Sequence, residues 1–137
     1  MSMIYITRRV TFSASHRLHS DALSDEENRR VFGKCNNPNG HGHNYALKVT
    51  VRGEVNPETG IVLNFFDLQD AIDAAILEEV DHKHINLDVP AFKGINPTAE
   101  NMVVVFWNML EPKLPPGMLY EMQLYETDND HVTYRGT

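Results

Sequence analysis

The sequence predicts an α+β fold, a four-stranded antiparallel sheet with two helices packed on one face. Two segments alternate apolar and polar residues with period two, the mark of half-buried strands. Two later segments carry apolar residues at helical spacing. Near the end, two short strand-like runs flank a tight turn.

In "VTFSASHRL", Val10, Phe12, Ala14 and His16 share one face of the first strand. "SDALSDEENRRVFGKCNNPNG" is polar and rich in Asn, Pro and Gly, so a long loop is expected. One helical turn fits near Asp25–Arg30, with Ser24 as its cap. "HGHNYALKVTVRGEV" then aligns His41, His43, Tyr45, Leu47, Val49 and Val51 on one face. "NPETG" is a turn and "IVLNF" reads as a short strand. The first main helix is expected to present Phe65, Leu68, Ile72, Ala75 and Ile76 to the core. The second begins at a cap, Asn96 or Thr98, with Pro97 suited to its first turn. Met102, Phe106, Met109 and Leu110 line it, and Pro112 stops it. Met118–Thr127 and His131–Tyr134 form a hairpin closed by "DND".

The 137 residues fit one domain, 1–137, and a 42% hydrophobic content supports a real core. No apolar run is long enough to span a bilayer. The start, "MSMIYITRRV", lacks the apolar core of a secretion signal. A single cysteine suits a reducing, cytoplasmic setting. The net charge of −7 argues against general nucleic-acid binding. An anionic substrate would therefore need a local basic patch.

His41 and His43 stand two residues apart on a strand and point the same way. If the first two strands pair, His16 lies opposite them. Three imidazoles with an open fourth position form a catalytic zinc pattern. Three unrelated histidines, two at a solvated loop end, also fit the letters. Cys35 sits in a Gly/Asn/Pro loop, where a nearby zinc ion or Lys34 would lower its pKa and favour a thiolate base. A lone cysteine also serves as a small buried hydrophobe. Asp81–His82 follows the first main helix, and an Asp beside a His can orient the ring and raise its basicity. A solvated helix-end charge cluster reads equally well. Glu126 ends the apolar face of Tyr120, Met122 and Leu124, where a carboxylate can accept two parallel hydrogen bonds from a planar N–H edge. Glu100, in the first turn of the last helix, also fits ordinary helix-start chemistry.

Together "FSASHRLHS", "FGKCNNPNGHGHNY", "VDHKH", "PTAEN" and "LYETDND" resemble the 6-pyruvoyl-tetrahydropterin synthase family, in order and over almost the whole chain. The resemblance implies a tunnelling fold. Subunits would form a trimeric barrel, and two trimers would stack as a homohexamer with active sites at subunit interfaces. It implies zinc held by residues matching His16, His41 and His43. Cys35 matches the general base, and Asp81 and His82 match a dyad reaching the site from a neighbouring subunit. Glu126 matches an active-site acid, and Thr98 with Glu100 the pterin-anchoring segment. The implied reaction is a carbon–oxygen lyase step of tetrahydrobiopterin biosynthesis. It converts 7,8-dihydroneopterin triphosphate to 6-pyruvoyl-tetrahydropterin and triphosphate, with no external redox cofactor. Arg8, Arg9, Arg17 and Lys34 are the candidates for the basic patch.

The chain departs from the family's usual pattern at His84, where asparagine is usual. "NPTAEN" leans toward a sister enzyme, 6-carboxytetrahydropterin synthase. The five residues between Cys35 and His41 favour the pyruvoyl enzyme. The carboxy enzyme is the first alternative, and a non-catalytic zinc or pterin-binding module the second.

Overall fold

Two strands of 14 residues, β1 (Met3–His16) and β2 (His41–Glu54), pair antiparallel over their full length. The structure, a computed structural model, describes residues 2–137. Strand alternation puts Val10, Phe12, Ala14, Tyr45, Leu47, Val49 and Val51 on one buried face. β4 (Leu119–Tyr125) continues that face with Met122 and Leu124, through a register shift at Thr50/Val51. β5 (His131–Tyr134) closes the hairpin expected from "DND".

The sheet has five strands, not four, in the order β3-β1-β2-β4-β5. The unforeseen member is β3 (Lys83–His84), which runs parallel to β1 beside Ala14 and Ser15. Two residues carry no alternation signal, so only tertiary pairing creates this strand. Conversely, the strand expected at "IVLNF" does not form. There Asn64 caps the following helix, its side chain accepting from the Phe66 N–H at 2.7 Å. Cap chemistry outweighs the β-propensity of Ile61 and Val62.

The first main helix runs through α2 (Phe65–Ile72), a wider π turn (Asp73–Leu77) and α3 (Glu78–Val80) without interruption. Leu68, Ile72, Ala75, Ile76 and Val80 are buried, whereas Phe65, expected on that stripe, is 49% exposed. α5 (Ala99–Leu110) buries Met102, Val103, Phe106, Trp107 and Leu110. Thr98 caps it, accepting from the Asn101 N–H at 3.1 Å. Both helices join the sheet's apolar face in one core. Two shorter helices depart from expectation: α1 (Asp25–Phe32) is longer than the expected turn, and α4 (Ile85–Asp88) forms where the sequence reads as a loop. α1 extends the single expected turn because Ser24 and Glu27 cap each other's backbone N–H in a capping box. Among the described residues no helix is long and apolar enough to cross a membrane.

Candidate metal centre and active site

The β1–β2 register sets His16 directly opposite His41, with His43 opposite Ala14 one step along the same face. All three rings turn their Nε2 atoms toward one point. His16 Nε2 lies 3.1 Å from His41 Nε2, which lies 2.8 Å from His43 Nε2. The three ligand atoms fall within 4.8 Å of one another. Tetrahedral zinc ligands at ~2.0–2.1 Å from the ion sit about 3.4 Å apart, so the cluster has the right dimensions.

The protonation pattern also fits. His16 is fully buried, and its Nδ1–H donates to the Pro97 carbonyl at 2.8 Å. A carbonyl can only accept, so the lone pair of His16 lies on Nε2, facing the other two rings. Burial, ahead of repulsion from His41 and His43, lowers the pKa of His16 to about 4. His41 is lowered by burial and then by His43. Neutral imidazoles with converging lone pairs are what a cation needs and what protein alone leaves unsatisfied. His41 Nδ1, buried with no hydrogen-bond partner among the described residues, adds to that imbalance.

The other expected residues divide into two groups. Glu126 joins the cluster, with Oε1 3.4 Å from His43 Nε2. It also lines a cleft of about 230 Å³ with Glu100, Asp130 and His131. Thr98 stands at the same helix start, its hydroxyl oxygen occupied by the cap. Cys35 is half-buried on the 3₁₀ turn Gly33–Asn36, and its carbonyl receives the Leu18 N–H at 2.8 Å. Burial, then Glu126, pushes the Cys35 thiol upward, the reverse of the effect expected from Lys34. Lys34 is exposed and lines a separate cleft. A cation among the three imidazoles would act in the opposite direction on the thiol.

Asp81 and His82 form the second group, on the edge of β1 just before its pairing with β3. The Ser13 N–H donates to Asp81 Oδ1 at 3.0 Å, and the His82 N–H donates to the Ser13 carbonyl at 2.6 Å. Asp81 Oδ1 sits 2.9 Å from His82 Nδ1, orienting a ring whose side chain is 82% exposed. His82 has φ 63°, a left-handed conformation uncommon outside glycine and typical of sites where position matters. His82 lines a cleft of about 360 Å³ together with His43, Asn44 and His84.

Tyr45 was not singled out in the sequence as a site residue. Its hydroxyl lies 3.3 Å from His16 Nδ1, and burial, then Glu126 and Cys35, raise its pKa. Its place in the row of His41 and His43 was a usable signal. The Pro97 carbonyl had none, because a backbone acceptor has no letter of its own.

The 6-pyruvoyl tetrahydropterin synthase family profile matches residues 5–137. The chain belongs to this family. The human 6-pyruvoyl tetrahydrobiopterin synthase is 53% identical over 131 residues, covering 96% of this chain and 90% of the human one. The Drosophila melanogaster protein of the same name is 48% identical, covering 96% of this chain and 79% of its own. The solved structure of Caenorhabditis elegans 6-pyruvoyl tetrahydropterin synthase superposes with a TM-score of 0.95 at 42% identity, over 100% of this chain and 98% of that one. In this family context the five-stranded mixed sheet with helices on one face is the fold of a pterin synthase rather than a generic α+β sandwich.

Proposed function

We propose that the protein is a zinc-dependent lyase that converts 7,8-dihydroneopterin triphosphate to 6-pyruvoyl-tetrahydropterin with release of triphosphate. The observation that carries this reading is the convergence of three histidine Nε2 atoms, with Glu126 against His43 and near enough to act on the Cys35 thiol, in a chain 53% identical to a 6-pyruvoyl tetrahydrobiopterin synthase. His16, His41 and His43 would hold the metal. Bound there, zinc supplies Lewis-acid polarisation of the substrate's side-chain oxygens, which acidifies the neighbouring C–H groups.

Cys35, as thiolate, takes a proton from the side-chain carbon and returns it during tautomerisation. Breaking the carbon–oxygen bond releases triphosphate, and the two hydroxyl-bearing carbons become ketones as the ring gains the hydrogens. Electrons are redistributed within the substrate, so no external oxidant is required. Glu126 accepts from the pterin N–H edge, Glu100 lines the same cleft, and Thr98 caps the helix that carries Glu100. Asp81 orients His82, which serves as partner acid/base in the site of a neighbouring subunit. The exposure of the His82 ring, 82% of its side chain, supports that arrangement. The decisive experiment is incubation of zinc-loaded protein with 7,8-dihydroneopterin triphosphate and mass analysis of the products. 6-Pyruvoyl-tetrahydropterin and triphosphate are expected, whereas carboxypterin with acetaldehyde would replace this reading with the sister activity.

One zinc per chain is expected by metal analysis, with His43→Ala losing tight occupancy. Full, tight occupancy in that variant would remove His43 from the ligand set. Protons compete with the metal only as pH falls from the ordinary histidine value of ~6.5 toward the His16 value of about 4. Over that window the unfolded chain binds the proton that the native His16 refuses. Stability of the metal-free protein should therefore fall with falling pH, and hold above it.

The reading also includes a homohexamer of two trimers in a reducing compartment. The largely unpaired edge of β1 supports assembly through the sheet. Light scattering should find a hexamer; a monomer at working concentration would sink the shared active site.

A further inference from the structure

We propose that a cationic cleft formed by Arg17, Arg29 and Lys34 holds the triphosphate tail of the substrate. This rests on the preceding reading only in naming the ligand as a triphosphate ester.

The cleft has a volume of about 320 Å³. Its lining carries three cations, Arg17, Arg29 and Lys34, against one carboxylate, Asp25. Asp25 lies in the first turn of α1, where the helix dipole already stabilises its charge. In a chain of net charge −7, such a concentration of positive charge is local and unusual. Neither Arg29 nor Lys34 has an ion-pair partner among the described residues.

Arg17 is held ready. Its backbone is clamped on both sides by Asn86, whose Oδ1 accepts from the Arg17 N–H at 2.8 Å and whose Nδ2 donates to the Arg17 carbonyl at 2.9 Å. Its Nε–H donates to the Asn36 carbonyl at 3.2 Å. That bond fixes the guanidinium plane and leaves both terminal nitrogens available for phosphate oxygens.

The cleft adjoins the centre through the chain itself. Arg17 directly follows His16, and Lys34 directly precedes Cys35. The Leu18-to-Cys35 backbone bond ties these two segments together. These links set the cleft next to the centre along the chain, and the phosphorylated end of the bound side chain is assigned to it. The other basic candidates are placed differently. Arg8 is committed to Gln69 of α2 at 2.6 Å, and Arg9 lies in mid-strand on the opposite face.

The test measures binding of inorganic triphosphate to the zinc-loaded full chain by calorimetry, with zinc content read in the same samples. Arg29→Ala and Lys34→Gln should each weaken binding roughly 10- to 100-fold, as expected for a lost hydrogen bond to a charged group. Zinc content and affinity for unphosphorylated 7,8-dihydroneopterin should not change. KM for the triphosphate substrate should rise by a similar factor, with a much smaller effect on kcat. Arg30→Ala, which removes the same charge from the same helical turn but from a residue near Glu27 at 4.0 Å, should leave binding intact. The proposal is overturned if the parent binds no triphosphate, if Arg29→Ala and Lys34→Gln bind as the parent does, or if Arg30→Ala weakens binding equally. Selective loss in the two cleft variants, in a protein that fails to turn the substrate over, would uphold the cleft as a polyphosphate site and sink the lyase reading alone.

Discussion

Cys35→Ala is expected to slow turnover by about 10²–10⁴-fold, the usual loss when a positioned acid or base is removed. The three imidazoles remain, so zinc and pterin should bind nearly as in the parent. Cys35→Ser should also be slow, because a hydroxyl supplies little anion near neutral pH. Asp81→Asn should lose less, since His82 remains but its ring is no longer oriented by a carboxylate now 2.9 Å away. Single-turnover kinetics beside metal analysis separates these roles. Loss of zinc from Cys35→Ala would make the thiol a ligand, and unchanged turnover would move the base to another group, His82 first.

Phe106→Ala is expected to destabilise the fold by about 3–5 kcal/mol. Phe106 is fully buried, with its ring centroid 5.8 Å from Phe12 of β1 and 6.0 Å from Phe92, edge-on to both. Alanine would leave a void where helix, sheet and the loop before α5 meet. That loss is a large share of a typical stability of ~5–15 kcal/mol. Urea unfolding of the assembled protein measures it; a change below about 1 kcal/mol would mean that the neighbouring rings collapse into the space.

What the letters made legible follows from which interactions have a short-range signature. The alternation through Val10–His16 and His41–Val51 reports a two-sided strand environment. It therefore located the imidazole row before any partner was known. Ser24 and Thr98 were readable because a cap acts within three residues of itself. β3 was not readable, since Lys83 and His84 are a strand only by virtue of Ala14 and Ser15, far away in the chain. Arg29 carries no local signature for a similar reason. Nothing near it in sequence announces that the turn after α1 folds back to place it beside Arg17. The upward push on the Cys35 thiol likewise comes from burial in the folded chain and then from Glu126, which arrives from the other end of the sequence.

The π turn at Asp73–Leu77 has a consequence for the dyad. Leu68, Ile72, Ile76 and Val80 recur every four residues, and all four are buried. In an unbroken α-helix of 3.6 residues per turn, a row spaced by four rotates about 40° at each step. Val80 would then drift well round the barrel of the helix from Leu68. The slack turn absorbs that drift and resets the phase, so that the chain leaves Val80 with Asp81 aimed at the Ser13 N–H. One residue more or fewer there would advance everything downstream by about 100°. The Asp81–His82 pair is thus timed by residue count in a segment that meets it through one backbone bond, from the Asp81 N–H to the Leu77 carbonyl at 3.0 Å.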